Sequence, residues 1–326
     1  MNPHPTTRMR AALLGAALAV AALVPVAPAQ AQTSLKVAGL RTIAFIPVTY
    51  AQKQGYFKRE GLDVEVITVG AGPAVISAVA SGSAQIGYSA SVPVLFARAQ
   101  NQPIRIFDAF TYESAKAGGQ WTWLVASEKS GIKSVKDLAG KTLAMNAMGA
   151  VCELQFREHM VKAGITFDSA KKIVVPFPQM QAALQLGNAD AACVVEPFFT
   201  NMRVSPEIKA IPLASGIVTS QAQRYTLDVL FAREDWGRAN QEALRRFNRG
   251  LMLAFADYRK DPTLFRRQIT EDFKLSPAVV SLMKSDLEFT ELQPSSAEIK
   301  PLIDGLLRQG LLKTELKPED VILQVK

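Results

Sequence analysis

Histidine and cysteine are nearly missing from this chain of 326 residues, which holds two of each: His4 and His159, Cys152 and Cys193. A metal centre built on imidazole or thiolate lacks its ligands, and acid–base catalysis by histidine lacks its usual groups. Two cysteines are too few for a disulfide framework, although an oxidising compartment permits one bridge. Both are expected to be structural and unpaired. Cys193 lies inside the apolar run Ala191–Val195, and Cys152 begins a neighbouring helix, so that a bridge is also geometrically conceivable. Basic residues are scattered, and no Lys/Arg block interleaved with aromatics occurs, which argues against a nucleic-acid surface. The formal charge of +8, or +6 without Arg8 and Arg10, either helps to collect anions or belongs to a solvated surface. Glycines are plentiful, yet none forms a G-x-G-x-x-G or G-x-x-x-x-G-K-[ST] arrangement, so nucleotide binding finds no support.

Long apolar runs are also scarce. Ala11–Val24 is one, and its 14 residues fall short of the ~20 needed to cross a bilayer core. It follows Arg8 and Arg10 and precedes Pro25, Pro28 and Ala29-Gln30-Ala31, the pattern of a secretory signal cleaved after Ala31. No cysteine stands near that point to carry a lipid, so the mature protein is expected to be exported and free. What remains is long enough for about two domains.

Along the mature chain, strands alternate with helices at short spacing. Leu35–Gly39 reads as a strand, Pro47–Lys53 as a helix stopped at Gly55, and Leu62–Ile67 as an edge or half-buried strand of period two. A helix over Pro73–Ser81, a strand over Ala84–Tyr88 and a helix over Val92–Ala99 follow. The extended stretches Ile104–Ala109 and Trp121–Ser127 flank Ala117-Gly118-Gly119, a candidate hinge. The pattern then recurs: strands at Thr142–Asn146, Lys172–Pro176 and Ala191–Val195, helices at Val151–Ala163 and Gln179–Leu186. Such spacing predicts parallel βαβ units. After an extended return at Tyr225–Ala232, four helical stretches are expected: Asn240–Arg259, Pro262–Glu271, Pro277–Met283 and Ser296–Gln309. The reading is one α/β domain (32–117 with 221–326) holding an inserted α/β domain (118–220), with a helical C-terminal tail and a cleft between the two.

Several segments carry a resemblance. Gly55-Tyr56-Phe57-Lys58-Arg59-Glu60-Gly61-Leu62-Asp63-Val64-Glu65, Gly70-Ala71-Gly72-Pro73, Ser81-Gly82-Ser83-Ala84-Gln85-Ile86-Gly87, Asp137-Leu138-Ala139-Gly140-Lys141-Thr142-Leu143, Ala182–Ala191 and Glu196-Pro197-Phe198 occur in that order. Together they resemble the nitrate/sulfonate/taurine family of ABC-transporter substrate-binding proteins, a group also described as similar to thiamine-precursor synthesis proteins. The resemblance covers roughly residues 35–199. It implies the two-lobed periplasmic binding protein (type II) fold with two hinge crossings, a periplasmic location, and a small-molecule ligand. It also implies an inner-membrane permease with its ATPase as partners, a monomer, and no cofactor.

Ligand contacts are then expected from strand-to-helix loops, where free N–H groups and the positive dipole end of a helix favour an anion. Three starts converge: after Ser89-Ala90-Ser91, after Asn146 through Met148-Gly149-Ala150, and at Gln179. Ser89 and Ser91 either donate to the ligand or cap the next helix. Arg41, with Thr42 and Phe45 in the same loop, is a salt-bridge donor to a carboxylate or sulfonate, or an exposed loop charge. Relatives place a Gly-Ser-Ser-like run where this chain has Met148-Gly149-Ala150-Val151-Cys152, which with Phe45, Trp121 and Trp123 favours an organic, even aromatic, anion over nitrate. Glu196 either accepts from a ligand amine or fixes the cleft loops. Three rival readings stand beside the importer: a binder of a pyrimidine or thiamine precursor, a desulfinase-like enzyme using Cys152, and a periplasmic sensor subunit that uses the same trap to signal. Against the enzyme, His159 lies seven residues along the same helix, about 10 Å by the helical rise, too far to serve as its base.

Overall fold

Thr33–Leu40 (β1) exposes Ser34 and Lys36 and is wholly buried from Val37 onward, as a strand entering the middle of a sheet should be. The computed structural model describes residues 32–217, 224–285, 287–288 and 292–325. The expected leader, its cleavage after Ala31, and the expected boundary at 220/221 lie outside the described residues.

After β1 come α1 (Ile46–Lys53), α2 (Tyr56–Arg59), β2 (Leu62–Val69), α3 (Gly72–Ala80), β3 (Ile86–Ala90), α4 (Ser91–Ala99) and β4 (Ile104–Glu113). The chain then crosses to β5 (Thr122–Ala126), β6 (Thr142–Met145), α5 (Val151–Lys162), β7 (Lys171–Val174), α6 (Phe177–Gln185), β8 (Ala191–Val195), α7 (Phe198–Val204) and β9 (Ile211–Ser215). It returns as β10 (Tyr225–Arg233) and continues through α8 (Glu234–Ala239), α9 (Gln241–Lys260), α10 (Leu264–Phe273), α11 (Pro277–Ser281), α12 (Ser296–Arg308) and α13 (Pro318–Val321). One sheet has the order β2-β1-β3-β10-β4 and the other β7-β6-β8-β5-β9, which makes two α/β lobes.

Parallel pairing holds for only part of each sheet. β1 runs parallel to β2 and β3, and β6 to β7 and β8, but β10 and β5 are antiparallel to both of their neighbours. The expectation of parallel units throughout is corrected, and the reason is topological. A parallel neighbour needs a crossover that carries the chain back to the same end of the sheet. β5 and β10 are each the first strand after a passage from the other sheet, with no such crossover before them. The edge strand β9 and the short α7, α8 and α13 were not anticipated, since none is long enough to show a period.

Each lobe has its own core. In the first, Val37, Ile86 and Phe231 of the sheet and Leu244, Phe247, Leu251 and Phe255 of α9 belong to one buried cluster, with Phe57 and Phe247 stacked at 4.6 Å. In the second, Leu124, Leu143, Met145, Phe156, Met180 and Val194 form the centre. Gly39 shows how tightly the first lobe is filled. A Cβ there would lie 2.4 Å from the Phe45 ring, which in turn stacks on Tyr88 at 4.7 Å.

Cys152 and Cys193 are joined by a disulfide, with their Cα atoms 5.6 Å apart, so the expectation of unpaired thiols is wrong. Burial alone was the ground for that expectation. The first turn of α5 packs on β8, so both side chains are buried against each other in one layer.

Candidate functional site

At the ends of β1, β3 and β8, the loops of the two lobes face each other around a cavity. The space open to the centre of a water-sized sphere is about 40 Å³, room for a few waters or a small solute. The first lobe contributes Thr42, Ile43, Gly72, Ala90, Leu227 and Asp228, the second Thr122, Asn146, Ala150, Val151, Phe177 and Glu196, and Trp121 stands at the crossing.

Four α-helices begin at this wall, through Gly72 of α3, Ala90 before α4, Ala150 before α5 and Phe177 of α6. Their cap residues are Ala71, Ala90, Ala150 and Pro176, and none makes a side-chain capping hydrogen bond. Alanine is among the poorest N-caps, because it has no oxygen to accept from the first free N–H groups. The N–H groups of Ala74, Glu153 and Gln179 bond to the carbonyls of Ala71, Ala150 and Pro176, and Pro73, Pro93 and Pro178 have none. The leading N–H groups and the positive dipole ends are what remain for an occupant of the cavity.

The polar side chains of the wall are of the opposite character. No Lys, Arg or His lines the cavity among the described residues. Asp228 is half-buried. Its Oδ2 accepts from the Thr111 hydroxyl at 2.6 Å, and it also holds the Tyr88 hydroxyl, which lies 3.1 Å from Thr42 Oγ1. Burial pushes the Asp228 carboxyl up to about 6, against the pull of the Thr111 and Tyr88 hydrogen bonds. Glu196 is buried, and burial raises its pKa as well; its oxygens accept from the hydroxyl of Thr200 at 2.7 Å and from its N–H at 3.2 Å. Asn146 is 6% exposed, and its Oδ1 has no partner, an acceptor waiting for a donor.

Of the residues singled out in the sequence, Thr42, Ala90, Trp121, Asn146, Ala150 and Glu196 meet at this cavity. The others stand elsewhere. The Arg41 guanidinium donates to the Asp272 carbonyl and lies over the Phe273 ring at 5.6 Å. Phe45 is packed between Gly39 and Tyr88. Ser89 donates to the Ala90 carbonyl at 2.9 Å and Ser91 to the Thr226 carbonyl at 2.8 Å, so neither caps a helix. Met148 and Gln179 are exposed, and the Gly149 N–H is taken by Glu153 Oε2 at 2.8 Å. Trp123 stacks on Phe199 at 4.1 Å within the second lobe. Asp228 and Thr122 were missed, whereas Phe177 opens the loop Phe177–Met180, from which ligand contacts were expected. Asp228 had a signal: it is the lone acid within the otherwise apolar run Leu227–Ala232.

Comparison with known proteins adds three relatives and a family. Residues 42–264 match the family described as NMT1/THI5 like. The taurine-binding periplasmic protein of Escherichia coli (strain K12) is 26% identical over 221 residues, 68% of this chain and 65% of that protein. The match thus spans just under two thirds of that curated relative's length. The alkanesulfonate-binding protein SsuA from Xanthomonas axonopodis pv. citri, solved bound to MOPS, superposes with a TM-score of 0.74 at 18% identity, covering 90% of this chain and 98% of that one. The desulfurization enzyme DSZB superposes with a TM-score of 0.63 at 13% identity, over 90% and 96% of the two chains. At such identities the superpositions report the fold alone, the two-lobed periplasmic binding type.

Proposed function

Because the chain belongs to the NMT1/THI5-like family, we propose that it is the periplasmic solute-binding component of an ABC importer, capturing a small organic acid between its lobes. The observation that carries this reading is the convergence of four helix starts without side-chain caps on a cavity with no basic side chain among the described residues. Such a wall favours the oxygens of a sulfonate or carboxylate through N–H groups and dipoles. Asp228 and the unpaired Asn146 Oδ1 add acceptors, which suits a ligand that also bears an amine. The relative named for binding taurine, an aminosulfonate, supports the same class.

In this reading the lobes, residues 32–117 with 221–326 and residues 118–220, close about crossings near Gly118-Gly119 and before Tyr225. A separate permease with its ATPase receives the loaded protein, a monomer, on the outer faces of both lobes. Capture without chemistry is supported by the disulfide. Cys152 has no thiolate to offer as a nucleophile, and among the described residues there is no free cysteine.

A thermal-shift screen against taurine, alkanesulfonates, small carboxylates, nitrate and pyrimidines tests the proposal. A ligand at a hundredfold its dissociation constant stabilises by roughly 2.7 kcal/mol, a clear shift. Taurine or an organic acid is expected to shift the melt. Shifts from pyrimidines alone would replace the acid by a thiamine-precursor type of ligand, and consumption of a sulfinate would remove the transport reading.

A further inference from the structure

β4 ends at Glu113, β5 begins at Thr122, and β10 begins at Tyr225. These are three of the four strand ends that bound the two passages between the sheets, the fourth being Ser215 of β9, and the three meet at one side chain. Glu113 is completely buried. Its Oε1 accepts from the N–H groups of Trp121 and Thr122, both at 3.1 Å, and its Oε2 accepts from the Tyr225 hydroxyl at 2.7 Å. The Thr122 hydroxyl lies 3.0 Å from each oxygen and donates to one of them.

The β4–β10 ladder already pairs Tyr225 with Glu113 through the backbone. The carboxylate adds a bond to the first strand of the other lobe, which that ladder does not reach. Burying it is unfavourable: its pKa is pushed up to about 7 by desolvation, with the hydrogen bonds pulling the other way, and no salt bridge to it occurs among the described residues. Removing the carboxylate would leave these donors buried without an acceptor, which is costly in its own right. Two of the residues it holds, Trp121 and Thr122, are also cavity wall.

We propose that Glu113 is a positioning residue for capture: one carboxylate pins both crossings, sets the angle between the lobes, and so places Trp121 and Thr122 at the cavity. Its effect on affinity rests on the binding function proposed above; the pin itself does not, and the test separates them. Three variants of the full chain divide the bonds. Glu113→Leu removes all of them. Glu113→Gln keeps an acceptor for the two N–H groups, and Tyr225→Phe removes only the hydroxyl bond, leaving the start of β10 in its ladder with β4.

Without ligand, Glu113→Leu is expected to speed hydrogen exchange at the Trp121 and Thr122 amides by roughly tenfold or more, while Leu124 and Val125 stay protected. Its radius of gyration in small-angle scattering should rise. With taurine as probe, its affinity should fall by roughly tenfold, Tyr225→Phe should lie between, and Glu113→Gln should recover most of the loss. A lower melting temperature with exchange, radius and affinity all unchanged would reduce Glu113 to an ordinary buried acid and overturn the proposal. If Glu113→Leu does not fold, Tyr225→Phe decides, and wild-type radius and affinity in that variant overturn it equally. Wild-type protein that binds no organic acid would remove the proposed function, leaving exchange and scattering to judge the pin.

Discussion

Opening the Cys152–Cys193 disulfide should destabilise the second lobe by an amount that follows from its place in the chain. The bridge closes a loop of sequence separation 41. Chain entropy for a loop of that length corresponds to about 4 kcal/mol at 25 °C, most of it exerted on the unfolded state. Reducing the wild-type bond is cleaner than substituting the cysteines, because both sulfurs stay in the core and no methylene is lost. Both cysteines are fully buried, so the reductant must be equilibrated with the protein across the unfolding transition. Matched urea curves with and without reductant, followed by circular dichroism and tryptophan fluorescence, give the difference from midpoint and slope. Trp123, stacked on Phe199, reports from the lobe concerned. A second effect should accompany the first. The bridge ties the start of α5, where Ala150 and Val151 face the cavity, to β8, which ends at the cavity residue Val195, just before Glu196. Reduced protein should therefore bind its ligand more weakly. A stability difference below about 1 kcal/mol would refute the entropic argument for this loop.

Two further outcomes separate the cavity wall from its surroundings. Asp228→Asn should weaken an aminosulfonate by roughly tenfold while leaving a plain alkanesulfonate almost unaffected, because the lost interaction is with the amine. In the wild type, the raised Asp228 pKa of about 6 means that the carboxylate takes up a proton as pH falls through that value. Amine affinity measured by calorimetry should then fall below pH 6, whereas the Asn variant should give a flat profile. The same raised pKa works the other way on folding: its contribution is fully present below the unfolded pKa and is lost as pH rises through about 6, so the Asn variant should be no less stable than wild type at pH 7. Arg41→Ala should change affinity by less than about threefold, because an exposed charge held by Asp272 and Phe273 acts on the cavity only through screened solvent. A tenfold loss would return Arg41 to the ligand.

Much of the first lobe was readable because its elements end where the chain must turn left-handed. Gly55 and Gly82 have φ of 70° and 78°, and each stops a helix where the sequence suggested. Strand direction was not readable in the same way. A strand's residues record which faces are buried, and nothing in Thr122–Ala126 or Tyr225–Arg233 records that the chain reaches them from the other sheet. The site divides along a similar line. Position at a strand end was legible, and it brought Thr42, Ala90, Asn146, Ala150 and Glu196 to one cavity. Side-chain direction was not, so Arg41, Phe45, Ser89 and Ser91, drawn from the same loops, turn toward carbonyls or the core. Asp228 was overlooked because an acid inside an apolar strand reads as a flaw in the pattern until the cavity beside it is known.

The alanine and proline caps at the cavity also bear on the empty protein. A pocket built on an arginine must hold a desolvated cation when its ligand leaves, or recruit a counter-ion to take the ligand's place. Where this pocket would meet an anion, on the first turns of helices, it has only fractional charges to leave bare, and a few waters can occupy those N–H groups. Loading and unloading then differ little in what the protein itself must tolerate. For the carrier proposed above, repeated filling and emptying is better served by such a wall, since its grip comes from the backbone at the starts of α3, α4, α5 and α6.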